Sequence, residues 1–461
     1  MCSIRPEQLG SADFRTDYNA KYCYLAGAMY KGIASKEMVV AMANAGYMSF
    51  FGAGGLSSKK IIDALDYIQN RIRPKSPYGI NLLCNLLQPE QEDKVVSLAT
   101  KYGIRHIEAA AYMEITPSLV RYRLSGLENI NGSVQSKNFI LAKISRPEVA
   151  QAFMNPAPRH IVDQLVNQGT VSTEQALWSR AFPMADDICV ESDSGGHTDQ
   201  SVAFALLPAI QNLRDRIMSD HNYAKRIRVG AAGGIGSPEA AAAAFVMGAD
   251  FIMTGSINQC TVEAGTSEQV KDLLQKINVQ DTTYAPAGDM FEIGAKVQVV
   301  KKGVFFPARA NKLYELYIRH GDISEIEPKI QEQIQSRYFK KSFDEVWSET
   351  KSYYIRSGKM TDAQLEESPK QKMALIFRWY FIHASRLAMS GNQDQRVDYQ
   401  IHCGPAMGSF NQWVKGSNLE HWKNRYVETI ANKIMSSTAQ LLSNRLYGFA
   451  ENSRNKEKEE L

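Results

Sequence analysis

The chain has 461 residues, 44% hydrophobic and 22% charged, an ordinary globular composition with enough apolar mass for a large core. A net charge of only +4 argues against a general nucleic-acid binder, and no run of about 18 apolar residues is present to span a membrane. Six cysteines (2, 23, 84, 189, 260 and 403) lie far apart with no Cys-x-x-Cys, which speaks against a disulfide framework and for a reducing, cytoplasmic setting.

The opening MCSIRPEQLG lacks the apolar core of a signal peptide. From there to residue 260 one theme repeats: a short apolar run ends in Gly, Asn or Ser, and an amphipathic helix follows. The runs are 24–29, 47–52, 78–83, 106–112, 139–145, 187–192, 227–232 and 251–256. Their near-continuous hydrophobicity suits parallel strands covered on both faces. Between them, SSKKIIDALDYIQNRI carries Ile61, Leu65, Ile68 and Ile72 at helical spacing behind a serine cap. SVAFALLPAIQNLRDRI does the same, and the long gap 146–186 holds two predicted helices. Eight strand–helix alternations predict a (β/α)8 TIM barrel over 1–295, with a doubly wound open sheet as the rival.

Beyond 295 the period becomes helical and aromatics are dense, predicting an additional, mainly helical C-terminal region over 296–450. A charged tail, ENSRNKEKEEL (451–461), is expected to be disordered. Residues 296–461 hold 26 Lys and Arg against 19 Asp and Glu, a net of +7, so the first 295 residues carry −3. A basic second half suits an acidic partner, and equally a solvated surface. Its aromatics suit an apolar tunnel or a helical core.

The most informative segment is VGAAGGIGSPEAAAAAFVMGADFIMTGSINQ, 229–259. One predicted strand ends in Gly233-Gly234, and Ser237-Pro238 then opens a helix with Pro where its missing N–H does no harm. The next strand ends in Thr254-Gly255-Ser256. By count these are the tips of strands seven and eight, the usual phosphate seat of such barrels. Glycine lets backbone N–H groups approach an anion, and a helix N-terminus adds positive potential. A dinucleotide fingerprint does not compete: GAGGLS at 52–57 has Ser57 in place of the third glycine. The histidines lack metal-ligand spacing, so no metal is expected. His402-Cys403 reads as packing.

These residues resemble the FMN-dependent barrel family of nitronate monooxygenases and flavin-type enoyl reductases: AAGGIGSPEAAAAAFVMGADFIMTGS is similar to its phosphate half, and SDSGGHTD to its Gly-Gly-His element. GAMYKGIAS, YGINLL, AKISRPEVAQAFMNPAP, KVQVVKKGVFFPARANKLYELY, KMALIFRWY and DYQIHCGPAMGSFNQWVKGS narrow the resemblance to PfaD-type trans-acting enoyl reductases of polyketide and polyunsaturated fatty acid synthases. The resemblance implies FMN at the C-terminal mouth of the barrel. Gly233, Gly234, Gly255 and Ser256 would hold its phosphate. Gly27, Ala28 and Met29 would run along its ring, Asn81 would bond the pyrimidine end, and Lys143 would place a cation near it, unless that lysine simply reaches solvent. Gly195 and Gly196 would let the backbone pass close to the ring, with the catalytic His197 over it, donating a proton or bonding the thioester carbonyl. For Glu191 and Asp193 two readings stand, orienting His197 or ending the strand in water.

The activity so implied is reduction of α,β-unsaturated acyl thioesters carried by acyl carrier protein domains, with NADPH or NADH as transient reductant. A nitronate monooxygenase-like oxidase and a non-catalytic synthase-associated subunit are the alternatives.

Overall fold

The structure, a computed structural model, describes residues 3–85 and 88–459, from 449 onward as backbone only. Its chain divides into two compact units, one of Met1–Asp193, Gln200–Gly265 and Trp413–Leu461, the other of Ser194–Asp199 and Thr266–Gln412.

All eight predicted runs form strands of the first unit. These are β1 (Tyr24–Ala26), β2 (Met48–Phe51), β3 (Gly79–Leu83), β4 (His106–Ala110), β5 (Phe139–Ile144), β6 (Asp187–Glu191), β7 (Arg228–Ala232) and β8 (Ile252–Thr254). Each pairs in parallel with its chain neighbour, and β1 also pairs with β8 through Ala26 and Thr254. That last pairing closes the ring and removes the open-sheet rival. The strands are buried on both faces, as their continuous apolar runs require. Their helices start where the caps predict: Ser57 Oγ accepts from Lys60 N–H ahead of Ser58–Gln69, which buries Ile61, Leu65 and Ile68. The gap at 146–186 holds three helices rather than two, Pro147–Met154, Arg159–Asn167 and Thr173–Trp178.

The N-terminal end of the ring is plugged by the helix Ala12–Tyr18. Phe14 stacks on Tyr18 and on Phe251, with ring centroids 4.5 and 4.7 Å apart. The Tyr18 hydroxyl donates to Asp187 at 2.7 Å; Arg228 grips the same carboxylate at 2.6 and 2.8 Å and reaches Asp17 at 2.6 Å. Removing one member of such a buried set strands the other charges. Asp187→Ala is therefore expected to cost about 3 kcal/mol in denaturant titrations; a loss near zero would mean the plug is not held this way. His106, stacked between Tyr18 and Phe139, is an acid-sensitive point: burial pushes its imidazole down to about 4. Its neutral form stabilises the fold above the ordinary histidine range, and that contribution is lost as pH falls from about 6.5 through about 4. His106→Gln should flatten the acid limb of Tm against pH over that window.

The expected linear boundary at 295 differs from this division. The helix Val427–Glu459 packs against Pro238–Val246 of the barrel unit, and Val427 N–H reaches Glu263. Residues 451–459 continue that helix as backbone, and the rest of the expected tail lies outside the described residues.

The second unit is mainly helical but not wholly so. Helices Phe306–Arg319, Phe343–Arg356 and Pro369–Ser390 enclose Phe291, Phe377, Tyr380 and Phe381, all buried. Burial assigns these aromatics to a helical core. Beside them β9 (Thr282–Pro286) and β10 (Lys296–Val300) form an antiparallel sheet that Gly196–His197 joins as a third, two-residue strand. The segment 326–339 forms the helix Pro328–Gln333 followed by a π-helical turn, Ile334–Phe339.

Among the described residues no helix is long and apolar enough to cross a membrane. Cys23, Cys189, Cys260 and Cys403 are buried free thiols and Cys84 is half-buried; Cys2 lies outside the described residues.

Candidate functional site

The C-terminal ends of the barrel strands gather a charged cluster inside the ring. Lys143, near the end of β5, does not reach for open solvent: its Nζ lies 3.2 Å from Glu191 on β6 and 3.9 Å from Glu108 on β4. Glu191, its side chain 25% exposed, is thus an ion-pair partner of Lys143. Burial alone would lower the Lys143 ammonium, but Glu191 and Glu108 reverse that and hold it above the usual lysine range. Glu108, 1% exposed, accepts the Ala28 N–H at 2.8 Å; burial pushes its carboxyl up to about 7 against the pull of Lys143 and that bond. Gly27 precedes this contact. A Cβ there would come within 2.7 Å of Met253 Sδ, which favours glycine.

The loop after β1 is fastened to the loop after β2. Lys31 N–H donates to Gly54 O and Gly32 N–H to Gly52 O, each at 2.8 Å. A Cβ on Gly52 would run into Met29 O, and one on Gly55 into the Tyr30 ring. The glycines of GAGGLS are thus a seat for residues 29–32. Asn81, 5% exposed on β3, uses its Oδ1 to accept the Gly54 N–H at 3.1 Å.

At the β7 tip, Gly233 and Gly234 both take positive φ, 82° and 70°. A Cβ on Gly233 would lie 2.9 Å from the Ser192 backbone, whereas one on Gly234 would meet nothing within 4 Å. Ser237 caps Pro238–Val246, with Pro at the first position. At the β8 tip a Cβ on Gly255 likewise meets nothing within 4 Å, and Ser256 opens a short 3-10 turn, Ser256–Cys260. Tyr24 and Asn258 fix Thr254, at 2.6 and 3.0 Å, just before this tip. The result is two rigid strand ends whose glycines border open space, an arrangement that can admit an anion to backbone N–H groups.

Gly195, Gly196 and His197 belong to the second unit. A Cβ on Gly195 would lie 2.8 Å from the Cys403 Cα and from the Gly404 nitrogen, so close backbone packing demands glycine there without any ligand. Cys403 is buried, with its N–H on Gln298 O at 3.2 Å. His197 pairs with Val297 across the small sheet, and its Nε2 lies 3.0 Å from Asp289 Oδ1. Partial burial would raise the Asp289 carboxyl, but the His197 bond and charge outweigh it and hold it below the usual range. Glu108 and Asp289 are the residues sequence reasoning missed: one reads as an ordinary strand acid, the other lies 92 residues from its histidine.

A family model described as nitronate monooxygenase matches residues 14–289. A second, described as the inserted helical domain of acyl-carrier-protein S-malonyltransferase, matches residues 320–399. The polyketide biosynthesis protein PksE of Bacillus subtilis is 56% identical over 96% of this chain, and a component of the polyunsaturated fatty acid synthase of a Thraustochytrium species is 44% identical over 89%. The chain spans 58% and 28% of the lengths of those two relatives. The crystal structure of the enoyl reductase domain of MlnA, from the macrolactin cluster of Bacillus amyloliquefaciens, superposes with a TM-score of 0.92 at 44% identity, covering 96% of this chain and all of that one. Thermotoga maritima FabK shares the fold alone, at 16% identity and a TM-score of 0.54 over 95% of this chain and 98% of that one. By its barrel, its helical second unit and these matches, the chain belongs to the nitronate monooxygenase family and, within that superfamily, to the PfaD-type enoyl reductases of polyketide and polyunsaturated fatty acid synthesis.

Proposed function

We propose that the chain is an FMN-dependent enoyl reductase acting in trans on α,β-unsaturated acyl thioesters held by acyl carrier protein. The observation that carries this reading is the likeness, along nearly the whole chain, to an enoyl reductase domain at 44% identity. The residues also fit the cofactor: the open space at Gly234 and Gly255, on neighbouring strand tips, suits a phosphate, and Lys143, its side chain 17% exposed, suits a ring that gains negative charge. When bound, FMN supplies hydride transfer between NAD(P)H and the β-carbon of the acyl thioester.

Within that proposal, backbone N–H groups at Gly233, Gly234, Gly255 and Ser256 bind the phosphate. The loop Gly27–Ala28–Met29, held by Glu108, lies along the ring. Asn81 orients that loop's seat and bonds the pyrimidine end. Lys143 offsets negative charge, and being largely enclosed it does so with less screening than in open solvent. His197 gives its proton to the α-carbon, with Asp289 fixing the imidazole's orientation. Gly195 and Gly196 keep the backbone leading to His197 in place. The excess of basic residues over 296–461 suits an acidic carrier protein, and so does the match of 320–399 to a domain of an acyl-carrier-protein acyltransferase.

The family match at 14–289 also favours a second reading, a nitronate oxidase. Anaerobic assays with a crotonyl-carrier thioester and NADPH or NADH, beside aerobic assays with an alkyl nitronate, separate the two. We expect saturated thioester in the first and little turnover in the second; the opposite pattern overturns the proposal.

A further inference from the structure

Glu108 stands apart from the other buried acids of the barrel. Asp187 is gripped by two donor groups of Arg228 and by the Tyr18 hydroxyl, at the plugged end. Glu108 lies at the opposite end and is poorly compensated. Its Oε2 takes the Ala28 N–H at 2.8 Å, while its Oε1 stops 3.9 Å from Lys143, which leans instead on Glu191 at 3.2 Å. The surrounding elements add little else. From β6 comes Cys189, a thiol that burial keeps neutral. The strand partners of Glu108 are Asn81 on β3 and Leu141 on β5, neither charged. Gly27 and Met253 complete the surroundings without charge.

We infer that Glu108 is a positioning residue of the barrel mouth: one carboxyl oxygen holds the loop after β1 through Ala28, the other shares Lys143 with Glu191, and so the loop and the cation are set by one side chain. The inference rests on the proposed flavin reading for its purpose, though not for its geometry. Ionised, Glu108 leaves the three side chains with a net charge of −1; protonated, it leaves them neutral and releases Lys143 to Glu191 while still accepting the Ala28 N–H. Burial moves this change up to about 7. The charge presented to an anion at the mouth therefore changes near neutral pH.

Two variants test this in the whole 461-residue chain. Glu108→Gln keeps an oxygen for Ala28 and removes the charge; Glu108→Ala removes both. Hydrogen exchange of the peptide containing Ala28 should be slow in the wild type and Glu108→Gln, and at least about tenfold faster in Glu108→Ala. FMN dissociation constants measured from pH 6 to 8 should rise several-fold in the wild type and stay near the low-pH value in Glu108→Gln, the phosphate's own titration being common to both. Equal exchange in all three proteins, or the same pH slope in the wild type and Glu108→Gln, overturns the inference. If no preparation binds FMN at any pH, the flavin reading falls, and the exchange comparison alone decides the role of Glu108. If Glu108→Ala fails to fold, the pH slope of Glu108→Gln decides it.

Discussion

His197→Ala is expected to keep bound FMN and the fold while slowing enoyl thioester reduction by about 10²–10⁴-fold, the range over which a positioned acid accelerates proton transfer. Half of the His197 side chain is open to solvent, so its removal leaves no buried cavity to destabilise the second unit. Reduction of the enzyme by NADPH, followed as bleaching of the flavin absorbance, should be nearly unchanged, which places the defect on the acyl side. Asp289→Asn adds a finer test. The substitution keeps a hydrogen-bonding group 3.0 Å from Nε2 and removes its charge, so it should slow turnover less than His197→Ala while leaving FMN bound. Unchanged turnover in His197→Ala would reduce that residue to a member of the small sheet.

The second large effect concerns the anion seat. Gly255→Asp should abolish FMN retention, weakening binding by about 100-fold or more, with Tm close to that of the wild type. A Cβ on Gly255 meets nothing within 4 Å, so the new side chain displaces no neighbour. Its charge would lie where the phosphate is proposed to bind, in a setting that screens it poorly. Gly233→Val makes the contrast: at φ 82° and 2.9 Å from the Ser192 backbone, it should destabilise the barrel itself. A Gly255→Asp protein that stays yellow would move the phosphate elsewhere.

The barrel is legible in the sequence because its signal is redundant. Eight buried parallel strands each need an apolar run, and a run of that kind survives errors of two or three residues at its ends. Strand 251–256 shrinks to Ile252–Thr254 without disturbing the count. The hairpin Leu127–Ile130 and Ser133–Ser136 lies outside that count although its signal is plain: Asn131 and Gly132, both at positive φ, form the strongest short hairpin signal there is. The glycine tips are readable as a pair because their meaning comes from consecutive strands. What stays hidden depends on distance through space. Nothing adjacent to Glu108 in sequence tells of Ala28 or Lys143, and nothing near His197 tells of Asp289. Gly195 is expected beside a ligand, and its tight contact with the Cys403–Gly404 backbone, some 200 residues later, supplies another reason for glycine. The linear boundary at 295 differs from the compact units because a helix beginning at Val427 returns to the barrel, a pairing that periodicity cannot reveal.

The most direct measurement is a crystal structure of the 461-residue chain grown with FMN. One riboflavin phosphate per chain is expected, its phosphate within hydrogen-bond distance of backbone nitrogens at Gly233–Gly234 and Gly255–Ser256 and its ring beside Gly27–Met29 and Lys143. A barrel mouth empty at saturating FMN, or a phosphate bound away from those two tips, contradicts that expectation.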